Sequence, residues 1–194
     1  MARPVILDLA EAQGHVVFER GEYNLNIIGV RSPETESNAF DDRLHCVFKS
    51  HGAWVDICWR ITTDPGTYWL NNPSNVNGTA ILVPGQYRGV YKIDLHNGQY
   101  EALCQRLGPV TVWRDNNKDD VLDWDVDEDT GYFGINIHRS STREGGSTQV
   151  DKWSAGCQVF ADPDEFAIFM AIVKRAAVIW GDAFTYTLLD ERLI

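Results

Sequence analysis

With 194 residues, 44% of them hydrophobic and 23% charged, the chain has the make-up of a globular protein, long enough for one well-packed domain and neither disordered nor fibrous. Its 28 acidic residues outnumber 17 basic ones for a formal net charge of -11, and no Lys/Arg-rich run occurs, which excludes nucleic acid as a partner. The same acidity means that an anionic cell wall would have to be recognised by a pocket rather than by charge.

The N-terminal stretch from Met1 is interrupted by Asp8, Glu11 and Gln13 before an apolar core of secretory length forms, so no signal peptide is expected. Loose apolar spacing from Leu7 to Val17, stopping at Gly14, predicts no more than a short helix or an irregular opening. Short apolar or alternating runs follow: Tyr23 to Val30, Leu44 to Lys49, Trp54 to Arg60, Thr67 to Leu70, Thr79 to Val83, Gly89 to Ile93 and Val110 to Arg114. Clusters such as Ser32-Pro33, Ser50-His51-Gly52 and Asp64-Pro65-Gly66 punctuate them, and the chain reads as mostly strand through residue 137.

One helix is expected after residue 161. Asp162 is a natural N-cap, Pro163 fits the first helical position, Asp164 and Glu165 favour the positive end of the helix dipole, and Gly181 follows Trp180 as a stop. Apolar residues lie almost all round it, so it should pack against sheet. The stretch Phe166 to Trp180 contains Lys174 and Arg175 and falls short of the ~18 apolar residues of a membrane span. Phe184 to Leu189 then reads as a last strand, giving a mainly β fold with one long helix near the C-terminus, an α+β protein in a single domain over 1–194.

Cys46, Cys58, Cys104 and Cys157 are scattered, without C-x-x-C or zinc-like spacing. The first three are expected as reduced core residues, and no metal or cofactor is assigned. The stretch Asp115 to Asp123 imitates a calcium loop at positions one, three, five and nine, but Asp120 stands where glycine is needed and Val126 where glutamate is, so a solvated acidic loop is the better reading. His15, His45, His51 and His96 show no partner spacing; His96, in the turn Leu95-His96-Asn97-Gly98, is read as structural, with cleft lining as the alternative, and Asn75 to Gly78 as a turn.

The chemistry concentrates in Gly134-Ile135-Asn136-Ile137-His138 and, after fifteen intervening residues (139–153), Ser154-Ala155-Gly156-Cys157. A free thiol is only a few per cent ionised at neutral pH, so a nucleophilic cysteine needs a partner that takes its proton, and histidine is the usual one. The Gly/Ser/Thr-rich loop Ser140 to Thr148 is of the kind that folds back, and Ser154-Ala155-Gly156 supplies small residues and backbone N–H groups where an oxyanion would form. Most single Cys and His residues of a sequence are core or surface residues, and spacing alone leaves that reading in front; what weighs against it is the likeness of this order to a known family.

This segment resembles the signature of the L,D-transpeptidase (YkuD-type) catalytic domain, a histidine followed at similar spacing by Ser/Thr-His-Gly-Cys. Thr63-Asp64-Pro65-Gly66-Thr67-Tyr68 resembles the T-P-x-G-x-[FY] strand of that family, and the likeness spans residues 55 to 190; residues 1–50 match nothing and read as an N-terminal extension. The resemblance implies an L,D-transpeptidase-like β-sandwich, with Cys157 as nucleophile and His138 as general base. It also implies that the main chain of Arg139 orients the imidazole, that Ser154 supports the loop, and that the N–H groups of Gly156 and Cys157 line the oxyanion hole.

Two positions depart from the pattern: the histidine two before the cysteine is Ala155, and the arginine two after it is Val159. That arginine is associated with a substrate carboxylate, a charge that Arg139 or Arg143 is placed to supply, although an exposed arginine is the commoner role for each. Trp153, Tyr132 and Ala155 are read as cleft walls or, for the aromatics, as core. The implied function is cysteine-dependent acyl transfer or hydrolysis on peptidoglycan stem peptides through a thioester, at the bacterial wall and in a phage or effector setting reached without a Sec signal. The contrasting readings are a non-catalytic virion or wall-binding module on the same fold, and a thiol peptidase or acyltransferase acting on another peptide.

Overall fold

The computed structural model of the protein describes residues 2–194. A short helix α1 (Val5–Ala12) leads into three strands, β1 (Asn26–Arg31), β2 (Asp42–Ser50) and β3 (Ala53–Thr62). A one-and-a-half-turn helix α2 (Thr67–Asn71) follows, then β4 (Thr79–Leu82), β5 (Gly85–His96), β6 (Tyr100–Gln105), β7 (Val110–Asp115), β8 (Glu128–Gly131), β9 (Ile137–Arg139) and β10 (Gln158–Phe160). The long helix α3 (Pro163–Trp180) and β11 (Phe184–Asp190) end the regular structure before a terminal 3-10 turn, Glu191–Leu193.

Eight strands close into a barrel in the order β1-β11-β5-β6-β9-β10-β3-β2, and β4, β7 and β8 make a separate three-stranded sheet. The mainly β character with one long late helix is as the sequence indicates; the principal sheet is a closed barrel, where the family resemblance implies a sandwich. Closure removes the sheet edges, whose unpaired N–H and C=O groups would otherwise invite association. Residues 26–50 belong to the barrel, because β1 pairs with β11 in parallel and with β2 in antiparallel register and so supplies a stave of it.

All six residues of β1 are buried. Ile27 joins the main core with Leu44, Trp59, Tyr91, Phe160 and Tyr186. The alternate residues Ile28 and Val30 lie with Ile6, Leu7 and Ala10 of α1, so both faces of the strand are covered. The loose apolar spacing at the N-terminus is therefore a real amphipathic helix.

Helix α3 starts where the sequence places it: the Asp162 carboxylate accepts from the N–H groups of Asp164 and Glu165, and Gly181, at φ 90, ends it. Such a cap is worth about 1 kcal/mol. Its burial is one-sided: Phe166, Phe169, Met170, Val173 and Ala176 enter the core, each large one contributing about 1.5–3 kcal/mol, while Ile168, Val178, Ile179 and Trp180 face solvent.

Two further expectations are corrected. Thr67 to Leu70 is helical rather than a strand, because Pro65-Gly66 turns the chain and the N–H groups of Trp69 and Leu70 bond back to the Gly66 carbonyl. Cys46 and Cys104 are buried and free, but Cys58 is exposed, since the β3 pleat points it outward with Asp56. In the acidic loop, the Asn117 amide donates to Asp119 and Asp123 at 2.8 Å each. Among the described residues no three His, Cys, Asp or Glu groups converge as metal ligands.

Candidate active site

Strands β9 and β10 run parallel and set Gln158 opposite Ile137 and Val159 opposite His138. The chain between them, 140–157, thus leaves one strand and rejoins its neighbour, which brings Cys157 level with Asn136. The pleat then puts Asn136, His138, Cys157 and Val159 on one face. The Asn136 N–H lies 3.4 Å from Cys157 Sγ, and the thiol donates to the Gly134 carbonyl at 3.4 Å.

His138 is 3% exposed. Its Nδ1 is 2.8 Å from the Arg139 carbonyl oxygen, and a carbonyl only accepts, so Nδ1 carries the hydrogen and Nε2 keeps a free lone pair. The Tyr100 hydroxyl donates to the same carbonyl at 3.2 Å. Burial first, and His96 second, push His138 down to about 3. Burial raises Cys157 to about 11 against the pull of the Asn136 N–H. The resting pair is a neutral imidazole and a neutral thiol. No hydrogen bond joins them among the described residues, as is common for catalytic hydrogen bonds before substrate arrives.

A thiol raised this far ionises late. The rate of iodoacetamide alkylation at Cys157, followed by peptide mass mapping, is therefore expected to keep climbing with pH beyond the ordinary thiol range, by about tenfold per pH unit through pH ~9. A plateau at or below about pH 8.5 would show that the thiolate is already formed in the resting protein.

The turn before Cys157 is tied down at each residue. Ser154 Oγ donates to the Cys157 carbonyl at 2.8 Å and accepts from the Gly156 N–H at 3.1 Å. That bond takes the Gly156 N–H away from the oxyanion role expected of it; the Cys157 N–H has no protein acceptor among the described residues. Gly156 sits at φ 114, and a Cβ there would lie 2.2 Å from the Ala80 carbonyl oxygen, so only glycine fits. Gly66 plays a matching part: its N–H donates to the Ser154 carbonyl at 3.0 Å and its Cα abuts the Asp151 backbone, where a Cβ would be 2.1 Å from the carbonyl oxygen. The Thr63-to-Tyr68 motif is thus a buttress for the cysteine loop.

Two adjoining cavities of about 740 and 440 Å³ share His96, His138, Lys152 and Trp153. The smaller holds Cys157, Ala155 and Phe133, and the larger Arg139 and Arg143. Trp153 and Ala155 therefore line the cleft as expected. Tyr132 does not: it is 64% exposed, and its neighbour Phe133, packed against the main core, lines the smaller cavity in its place. The Arg139 guanidinium lies 4.0 Å over the Tyr100 ring and Lys152 Nζ 4.1 Å over the Tyr68 ring, while Arg143 lines the larger cavity and Arg106 the smaller.

His96 is the residue that sequence reasoning misses. Its ring stacks on His138 with centroids 4.0 Å apart and planes at 22°. Asn136 Oδ1 accepts from the Gln105 N–H at 2.9 Å, which fixes the amide so that its Nδ2 donates to His96 Nδ1 at 3.1 Å. Nε2 of His96 then carries the hydrogen, and the Asn97 side chain 3.1 Å away must present its oxygen. Burial, then Arg106 and Arg139, lower His96, so it too is neutral. The signal was present in Asn97-Gly98: with φ of 50 and 70 these residues make the tight hairpin turn that pairs His96 with Tyr100.

Comparison with protein-family models, curated proteins and solved structures returns no match to this chain.

Proposed function

We propose that this cleft carries out cysteine-dependent acyl transfer or hydrolysis on peptidoglycan stem peptides. The observation that carries the reading is His138 held through Nδ1 by the Arg139 carbonyl at 2.8 Å, inside a cleft it shares with Cys157. This is the tautomer a general base needs. In the reaction, the Cys157 thiol turns from the Gly134 carbonyl, Nε2 takes its proton, and the sulfur attacks a peptide carbonyl carbon. The oxyanion forms beside the Cys157 N–H. His138 returns the proton to the leaving amine, and water or a second amine then opens the thioester.

Position 159 cannot supply the family's arginine, because Val159 is fully buried against Phe40 and Val150. Arg139, Arg143 and Lys152 gather cations around the cleft of a protein with net charge -11, which suits the carboxylates of a stem peptide. A second reading, a non-catalytic wall-binding module, is favoured by the bond of the Cys157 thiol to Gly134 rather than to His138.

The test is to incubate the protein with purified sacculi, with defined muropeptides and with ordinary L-peptides, and to identify products by mass spectrometry. Cleaved or exchanged stem peptides are the expected result. Binding to sacculi without any product would replace the enzyme by the binding module, and cleavage of L-peptides alone would move the substrate elsewhere.

A further inference from the structure

The outward face of β2 and β3 carries a second set of reactive side chains. The antiparallel register places His45 directly opposite Cys58, and Asp56 lies two residues before Cys58 on the same face of β3. His45 Nε2 is 3.4 Å from Cys58 Sγ, and its Nδ1 is 3.0 Å from Asp56 Oδ1 and 3.2 Å from Oδ2. A carboxylate only accepts, so Nδ1 carries the hydrogen and Nε2 is aimed at the sulfur. Cys58 is exposed, whereas Cys46 and Cys104 are buried.

We propose that Cys58, His45 and Asp56 form a second nucleophilic site, at which Cys58 undergoes thiol–disulfide exchange with small-molecule disulfides. His45 draws the proton from Cys58, the thiolate attacks one sulfur of R–S–S–R, and a Cys58–S–S–R bond forms as the old S–S bond breaks. The leaving RS⁻ takes the proton from the imidazolium, so Cys58 is oxidised and one half of the disulfide is reduced. Exchange of this kind needs a proton acceptor beside the thiol, which His45 Nε2 supplies, and open access, which an outward-facing strand residue has, and it builds up no oxyanion that would call for donors beside it.

The surroundings support an imidazolium partner. Burial alone lowers His45, but its hydrogen bonds to Asp56 and Cys58 outweigh that and raise it to about 9. Arg60, two residues after Cys58 on the same face of β3, and Arg43 across from it also stand nearby, and Asp41, Arg43 and Glu191 line with His45 a cavity of about 310 Å³, while α1 and β1 present Ile6, Leu9 and Ile28. The site is separate from the Cys157 cleft, which none of these residues lines.

The test is the rate of modification by dithiodipyridine, an uncharged disulfide, resolved by cysteine through peptide mass mapping. At about pH 6, where an ordinary thiol is well under a per cent ionised, Cys58 is expected to react at least about tenfold faster in the wild type than in His45→Gln, with Asp56→Asn between them. Equal rates in wild type and both variants would overturn the proposal, as would modification confined to other cysteines. Should His45→Gln fail to fold, Asp56→Asn, a partly exposed position, carries the same comparison.

Discussion

Cys157→Ala is expected to reduce the release or exchange of stem peptides from sacculi to the level without protein, a loss on the order of a thousandfold or more. The methyl group cannot form the thioester, and nothing else in the cleft is placed to replace it: His96 and His138 are both neutral and stacked at 4.0 Å, and Ser154 Oγ is committed to the Cys157 carbonyl. Wild-type protein quenched during turnover should carry the acyl mass on the peptide containing Cys157, and the variant none. His138→Gln keeps the thiol but removes the lone pair that takes its proton, and a loss of about 10²–10⁴-fold is expected. Products that persist undiminished in Cys157→Ala would contradict the assignment of the nucleophile.

The second large effect concerns stability. Arg31 is fully buried. Its Nη1 donates to the Leu82 carbonyl at 2.9 Å and its Nε to Thr63 Oγ1 at 3.1 Å. Nη2 stands 3.1 Å from Asp64 Oδ1, an ion-pair distance without hydrogen-bond alignment, which leaves that oxygen orphaned. Burial and the charge of Asp64 push Asp42 up to about 8, against the pull of Arg31. Burial raises Asp64 as well, and Arg31 opposes it.

Arg31→Met removes the one cation among these carboxyls and is expected to cost about 3–5 kcal/mol at neutral pH, read by urea unfolding. The sign of the pH dependence follows from the raised acids. A carboxyl whose folded pKa lies above its unfolded value holds a proton that the unfolded chain gives up, so its stabilising contribution is present at low pH and is lost as pH rises from 3.8 through about 8. Without Arg31 the folded carboxyls hold their protons more tightly still. The deficit of the variant should therefore be nearly level below about pH 7 and grow by up to about 1.4 kcal/mol per pH unit above about pH 8, where the wild-type carboxyl ionises and that of the variant does not. A deficit equal at about pH 6 and at about pH 9.5 would mean that the carboxyls do not titrate with folding.

Much of this protein is written locally. The cap Asp162, Pro163 and the stop Gly181 specify α3, because a helix end is decided by the few residues that satisfy its own N–H and C=O groups. Period-two alternation marks most strands, and the order His138, loop, Ser154-Ala155-Gly156-Cys157 points to the cleft. Where local signals mislead, a neighbour distant in sequence has decided the outcome. Thr67 to Tyr68 looks like strand, yet Pro65-Gly66 starts a helix whose Gly66 must meet Asp151 without a side chain. Tyr132 and Phe133 are equivalent as aromatics, and only packing against the core chooses which faces the cleft.

The sequence by itself determined the mainly β composition, the bounds of α3 and the candidate nucleophile and base, since those depend on groups within a few residues of one another or on one short motif. Tertiary structure alone decided that the sheet closes, because β1 must find β11 from the far end of the chain. It alone decided that His96 stacks on His138 and that His45 meets Cys58 and Asp56. Register between strands is set by pairing and burial across long separations, and a one-residue slip would turn each of these side chains to the opposite face.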